Sequence, residues 1–454
     1  MKVLLIAPID KFALKDSGYG TAAHGIAAVL LRMKEEGKIE DVIFMNTARL
    51  GAEPLPTEKV DVSITLLHPH TFIRPSRGLE LIQKAMDLSD RRFLYIMWET
   101  DRLPSAWAPV LTNKIFTGFL APSYFVSELV KKATDTPVHY APLYVNVDDI
   151  PRVNIQEKVD GEKTFTVLYI GQDTIRKGLK DALISYMRAL GQESNVRLVL
   201  KYHRLSDKEV DTAEMVYHAT ITNAFKPKAR VYSITHNLDR AQMYGLYHMS
   251  SLLLFPSRGE GFGLPIAESM AAGIPVVYTN WSSSTEVAAA DGNIPLEYHL
   301  DEAVGMFHHG YEIGSQYAIP SISSCMSALR EKYTEWTQGK AAYYGRVLSH
   351  RDIIIKKFGY DPVSSCIEHI LNSKEGFAPP KVDEVMRNDN GLESSLSDTH
   401  RNIWSGAEVP GTTEIDAATP GTPPELEPDS DQLHEDDQLV CENGIGSENS
   451  ETGL

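Results

Sequence analysis

The feature that most constrains this chain is a repeated unit: a short run apolar at every position, then a glycine-bearing turn, then a stretch of helical periodicity. Residues 2–8, KVLLIAP, are the first such run. A run without alternation suits a strand covered on both faces, as in a parallel sheet with helices on either side. DSGYG follows, and then TAAHGIAAVLLRMKEEG (21–37), where Ile26, Leu30 and Met33 keep helical spacing and Gly37 supplies the stop. DVIFMN (41–46) is the next strand, so the chain opens on a βαβ unit. Further strands are expected at 62–68, 92–99, 118–123 and 138–145.

The segment 146–163, NVDDIPRVNIQEKVDGEK, is polar, holds a proline and a glycine, and reads as a hinge. Beyond it the alternation restarts with TFTVLYIG (164–171), helical KGLKDALISYMRAL (177–190), VRLVLKYH (196–203) and RVYSIT (230–235). Helical DRAQMYGLYHM (239–249), then SSLLLFPS (250–257) and IPVVYT (274–279) continue it, and residues 322–372 are mostly helical in pattern. The expected fold class is α/β: two doubly wound Rossmann-like domains facing a cleft, with ligands at the carboxyl ends of the strands. The expected boundaries are 1–155 and 156–356 for the two domains, 357–378 for a helix closing the body and 379–454 for a tail.

The net charge of −17 belongs to that tail, because residues 381–454 hold 18 Asp and Glu against Lys381, Arg387 and Arg401. Rich in Asp, Glu, Ser, Thr, Gly and Pro, it is expected to be disordered, a solubilising appendage. The near-neutral body offers no basic stripe to neutralise phosphates, which argues against nucleic acid as a partner. Cys325, Cys366 and Cys441 are widely spaced, without CxxC or a Cys/His cluster, so neither a disulfide framework nor a zinc site is expected. The N-terminal apolar run meets Asp10 and Lys11 too soon for a signal peptide, and no run is long enough to span a membrane. A cytoplasmic protein fits, with peripheral membrane contact left open.

The chemistry concentrates in RGEGFGLPIAESMAAGIPVV (258–277), where Glu260 and Glu268 flank a strand-to-helix turn of Gly261, Phe262, Gly263, Leu264 and Pro265. Pro265 suits the first helical position, Gly273 ends the helix, and Ile266 and Met270 share its inward face. Glu268 lies about 200° round from Ile266 by the helical period, off that face. Glycines let a ligand approach the backbone, and the helix start offers N–H groups to an anion. A diphosphate on the loop, with a carboxylate at each end accepting hydroxyls, accounts for the whole pattern. The plainer account of Glu268 is a carboxylate favoured by the helix dipole.

Other signals are thinner. SGYG is also what an ordinary strand-to-helix turn contains, and DSGYGTAAHG lacks the full G-x-G-x-x-G of a dinucleotide oxidoreductase. Arg176 and Lys177 at a helix start oppose its dipole, which points to a functional reason. His68 and His70 lack the spacing of a metal pair with a carboxylate, and Asp429-Ser430-Asp431 reads as acidic composition of the tail.

PSRGEGFGLPIAESMAAGIPVV resembles the E-x7-E signature of retaining glycosyltransferases of family 4 (glycosyl transferases group 1), whose fold is GT-B. YIMWETDRLPSAW (95–107), IRKGLKDAL (175–183) and ITHNLDRAQMYGLYHMSSLLLFPSRGEGFG (234–263) are similar to further blocks of it, and together the match spans most of residues 1–372. The resemblance implies a metal-independent, cofactor-free hexosyltransferase moving a sugar from a GDP- or UDP-sugar to a glycan, lipid or protein hydroxyl. By the same resemblance Glu260 contacts the donor sugar and Glu268 the ribose. Gly261, Phe262, Gly263 and Leu264 approach sugar and diphosphate, Lys177 helped by Arg176 neutralises the diphosphate, and Gly18 and Gly20 face it across the cleft. The first domain is then the acceptor side and the second the nucleotide-sugar side. Two departures stand out: Gln172 follows Gly171 where many members have arginine, and Trp98-Glu99-Thr100-Asp101 occupies the place of a common histidine, making Glu99 the candidate there or for acceptor contact. The alternative they raise is a catalytically inactive GT-B-like protein that binds a nucleotide sugar or a partner.

Overall fold

The computed structural model describes residues 1–9, 18–73, 75–203, 217, 226–303 and 313–373; the expected disordered tail, Asp429-Ser430-Asp431 included, lies outside the described residues. The first sheet contains β1 (Lys2–Ala7), β2 (Asp41–Asn46), β3 (Val62–Thr65), β4 (Arg92–Tyr95), β5 (Gly118–Ala121) and β6 (Val138–Tyr140). Its order is β2-β1-β3-β4-β5-β6, parallel throughout. The second contains β7 (Phe165–Gln172), β8 (Val196–His203), β9 (Arg230–Ile234), β10 (Leu252–Phe255), β11 (Val276–Thr279) and β12 (Ile294–Leu296). It is also all parallel, in the order β12-β11-β10-β7-β8-β9. An antiparallel hairpin, β13 (Tyr298–Glu302) and β14 (Gln316–Pro320), follows.

The central strands carry apolar runs because both faces are covered: Val3, Leu4, Leu5 and Ile6 are fully buried, as are Leu252, Leu253 and Leu254. Ile26, Leu30 and Met33 bury one face of the helix Gly18–Glu35 against the first sheet, and Gly37 ends that segment at φ 73°. In the second sheet the chain winds outward from β7 through β8 and β9, then returns to the other side of β7 with β10. The winding reverses between β7 and β10, which makes their carboxyl ends the switch point of this sheet.

The polar stretch 146–163, read as a hinge, contains the helix Ile155–Gly161. Asn154 caps that helix, accepting from the Gln156 and Glu157 N–H groups at 3.0 and 3.3 Å, and Lys158 Nζ donates to the Ser250 carbonyl at 2.8 Å. The expected strand at 92–99 stops at Tyr95, and Trp98 stands in the loop beyond it, packed edge-on against Trp107 at 4.6 Å.

After the second sheet the chain returns to the first. The Arg91 guanidinium donates to the carbonyls of Leu371 and Ile370 at 2.5 and 2.9 Å, tying the end of the helix Tyr360–Asn372 to the first lobe. At its start, the Tyr360 hydroxyl donates to Glu36 at 2.7 Å. Among the described residues no helix is long and apolar enough to cross a membrane.

Candidate active site

The loops after β7 and β10 build the site between them. β7 runs to Gln172, a single tight turn covers Ile175–Lys177, and the helix Leu179–Leu190 begins only after Gly178. Gly178 has φ 72°, and a Cβ there would meet the Pro256 carbonyl oxygen at 2.3 Å, so glycine is what lets the two loops lie side by side. The Arg258 N–H donates to the Arg176 carbonyl at 2.7 Å, joining them.

Glu260 is held at several points. Its Oε1 accepts from Lys177 Nζ at 2.6 Å and from the Ser257 hydroxyl at 2.5 Å, with Arg176 Nη1 at 3.5 Å. Its N–H donates to Ser282 Oγ at 3.0 Å and its carbonyl accepts from the Ser283 hydroxyl at 2.6 Å. Among the described residues Oε2 has no hydrogen-bond donor. Burial pushes this carboxyl up, but the Lys177 ammonium and the Arg176 guanidinium outweigh burial and leave it below its ordinary value. Burial likewise pulls the Lys177 ammonium below its ordinary value, an effect Glu260 partly offsets.

The first lobe supplies Glu99. Trp98 is buried, and its Nε1 donates to Thr100 Oγ1 at 2.8 Å and to the Arg102 carbonyl at 2.6 Å, which folds the loop back on itself. Glu99, between those anchors, points across to the second lobe with Oε1 3.7 Å from Arg176 Nη2. Asp101 exchanges two bonds with the Gln316 backbone, at 3.0 and 2.6 Å. Glu99, Arg176, Lys177 and Glu260 therefore form one charged cluster drawn from both lobes.

Glu268 lies on the helix Leu264–Ala272, with Gly263 as N-cap at φ 96° and Gly273 closing it at φ 86°. Leu264 is the first helical residue and Pro265 the second, one later than expected. Ile266 and Met270 are fully buried, and Glu268, off their face, accepts from the Tyr247 hydroxyl at 2.8 Å through Oε2. Among the described residues its Oε1 has no hydrogen-bond donor. Burial raises the Glu268 carboxyl, with Tyr247 and Arg240 opposing. A carboxyl raised by folding contributes stability present below its unfolded value near 4.5 and lost as the pH climbs through the folded value. Glu268→Gln is therefore expected to melt roughly 1–3 °C above the parent at neutral pH. That advantage disappears in mild acid, and calorimetry at the two pH values checks the crossover.

The remaining candidates separate. Phe262 is packed against Phe358 at 4.9 Å, so it offers the site its backbone and not its ring. Gly18 and Gly20 are the first and third residues of the helix Gly18–Glu35, the former exposed and the latter buried. His68 packs edge-on against Trp107 at 5.1 Å, and its Nδ1 accepts the His70 N–H at 3.3 Å. Ser257, Ser282, Ser283 and Tyr247 escaped the sequence reading. The serine run in WSSST was the available signal, for it leaves β11 beside the β10 loop, and Ser282 takes φ 56°, rare for a residue with a side chain.

Residues 152–295 match the family model of glycosyl transferases group 1. The putative glycosyltransferase ORF330 of Acidianus filamentous virus 2 is 27% identical over 230 residues, 49% of this chain and 59% of that protein. The O-antigen chain mannosyltransferase B of Escherichia coli is 32% identical over 127 residues, 28% of this chain and 31% of its own. The chain thus spans less than two thirds of either relative. Among solved structures, Anabaena HepE in complex with UDP and glucose superposes with a TM-score of 0.55 at 14% identity, covering 82% of this chain and 99% of HepE. Sucrose-phosphate synthase from Thermosynechococcus elongatus gives 0.57 at 11%, covering 82% and 98%.

Proposed function

We propose, from the match of residues 152–295 to glycosyl transferases group 1 and from the GT-B fold, that the chain moves a sugar from a nucleotide-sugar donor to an acceptor hydroxyl. The observation that carries the reading is the pair of carboxylates, each held by one oxygen and each leaving the other, Glu260 Oε2 and Glu268 Oε1, without a hydrogen-bond donor among the described residues. Carboxylates held in this way accept hydroxyls at fixed positions. Glu260, beside the two cations, takes a hydroxyl of the transferred sugar, and Glu268 takes the ribose. Lys177 and Arg176 meet the charge that builds on the departing diphosphate, together with backbone N–H groups from Gly261 to Leu264, so the chain itself supplies the stabilisation a metal would otherwise give. Gly18 and Gly20 leave room for the same diphosphate from the first lobe.

Two carboxylates tied up in holding hydroxyls are poorly suited to attack carbon. The acceptor hydroxyl, from a glycan, lipid or protein, attacks on the face the diphosphate leaves, a phosphate oxygen takes its proton, and configuration is retained. Glu99 stands on the acceptor side, linked to the diphosphate end through Arg176. Both GDP- and UDP-sugars are candidate donors.

A melting-temperature screen against GDP- and UDP-sugars tests the reading, followed by measurement of nucleoside diphosphate release. One donor is expected to raise the melting temperature in proportion to the logarithm of its excess over Kd, and to be consumed. Stabilisation by a donor that stays intact, with every acceptor class tried, would identify a nucleotide-sugar-binding protein without turnover. No response to any nucleotide sugar would remove both readings.

A further inference from the structure

Beyond the Glu260 cluster, the two lobes also meet at a polar contact that the chemistry above does not use. Glu286, on the short second-lobe helix Ser284–Ala288, accepts the Tyr124 N–H through Oε2 at 2.9 Å and the Phe125 N–H through Oε1 at 2.8 Å. These are the first two amides of the first-lobe helix Tyr124–Ala133, which have no partner within their own helix and lie at its positive end. Ser123, the N-cap of that helix, accepts the Val126 N–H at 3.2 Å and donates its hydroxyl to the Gly261 carbonyl at 2.9 Å. Phe125 packs edge-on against Trp281 at 5.2 Å.

The same second-lobe segment grips Glu260. Ser282 and Ser283 hold the N–H and the carbonyl of that residue, Trp281 precedes them, and Glu286 follows three residues later. Trp281–Glu286 is thus a bracket with one side on the first-lobe helix and the other on the Glu260 backbone. We propose that Glu286 and Ser123 are positioning residues: they latch the first-lobe helix to this bracket, so that meeting of the lobes sets the place of Glu260. The inference rests on the glycosyl-transfer reading. On the Glu286 side the latch is half-buried, with Tyr124 60% exposed, so water can replace those two bonds when the lobes part, while Ser123 is buried and its bond to Gly261 is the drier half. That suits a contact made and broken in every catalytic cycle.

The test compares the full chain with Glu286→Ala, Glu286→Gln and Ser123→Ala, reading amide hydrogen exchange, kcat, donor KM and donor hydrolysis per transfer. In Glu286→Ala, exchange at Tyr124, Phe125 and Glu260 is expected to quicken by about tenfold. Transfer kcat falls about thirtyfold, donor KM changes less than threefold, and hydrolysis per transfer rises because water reaches the donor. Glu286→Gln keeps one acceptor oxygen and recovers part of each loss, which a merely structural role would not produce. Unchanged exchange at Tyr124 and Phe125 would overturn the latch, and faster exchange there with unchanged exchange at Glu260 and unchanged kcat would overturn its coupling to the site. Failure of the glycosyl-transfer reading looks different: the parent chain would release no nucleoside diphosphate from any donor, while the three amides would still decide whether the latch grips Glu260.

Discussion

Lys177→Met is expected to lower sugar transfer by about 10³-fold while the chain remains folded. Methionine keeps the length and apolar bulk of the stem, so the change is confined to a charge placed 2.6 Å from Glu260 Oε1. Two losses combine. On the proposed reading the departing diphosphate loses one of its two cations, and the other, Arg176, is also committed to Glu99 at 3.7 Å. Glu260 also loses one of the two hydrogen bonds that fix its Oε1, the Ser257 hydroxyl keeping the other, and with it part of the aim of the oxygen left for the sugar. Stability falls by about 1–3 kcal/mol, because a buried carboxylate is left with fewer partners. Pairing Lys177→Met with Glu260→Gln removes the uncompensated charge, and is expected to restore most of the melting temperature but none of the turnover. Lys177→Arg does not rescue either, for a planar fork cannot occupy the slot of a compact ammonium beside Ser257. Near-parental turnover in Lys177→Met, measured with the donor that the melting screen identifies, would remove Lys177 from the chemistry.

How much of this was legible beforehand depends on how local the determinant is. The central strands were, because residues such as Val3 to Ile6 are apolar on both faces for one reason, the covering of both sides of a parallel sheet. The same rule misled at Trp98, whose burial in a loop against Trp107 gave IMWE the apolarity of a strand after β4 had ended. The last strands carried little signal: β12 includes Pro295, and β13 is exposed along its length. The segment 146–163 looked like a linker because its capping pair, Asn154 and Glu157, sits among polar residues with no long apolar face behind it.

At the candidate site the split is similar. Glu260, Glu268 and Lys177 could be picked out because glycine, turn and helix start surround them in sequence. Their partners could not, since Ser257, Ser282 and Tyr247 gain meaning only when three separate loops and helices converge at the β7/β10 reversal. The register of that convergence is set by packing across the sheet, which no local window contains.

Gly259→Ala tests the fit of the two lobes directly, and its expected effect on turnover is about 10²-fold. A Cβ at this position would lie 2.0 Å from the Glu99 carbonyl oxygen and 2.9 Å from the Trp281 ring. The first obstacle is backbone, so no rotamer change relieves it; the lobes must separate by roughly 1 Å to reach contact distance, a displacement of the size that misaligns reacting atoms. Separation pulls Glu99 from Arg176 and Ser123 from Gly261 together, from 3.7 and 2.9 Å. Donor binding is expected to survive, because Lys177, Glu260 and Glu268 all belong to the second lobe and keep their own partners. The signature is thus a normal melting shift with donor and a collapsed kcat, with a larger radius of gyration by solution scattering. Adding Glu99→Ala to Gly259→Ala brings no recovery, since the clash is with a carbonyl that every residue carries. Gly245→Ala, where a Cβ meets nothing within 4 Å on the helix Arg240–Met249, is the matched control and leaves turnover unchanged with stability slightly raised. Full turnover in Gly259→Ala would mean that the contact between the GEG loop and the WET loop is not one the working enzyme makes.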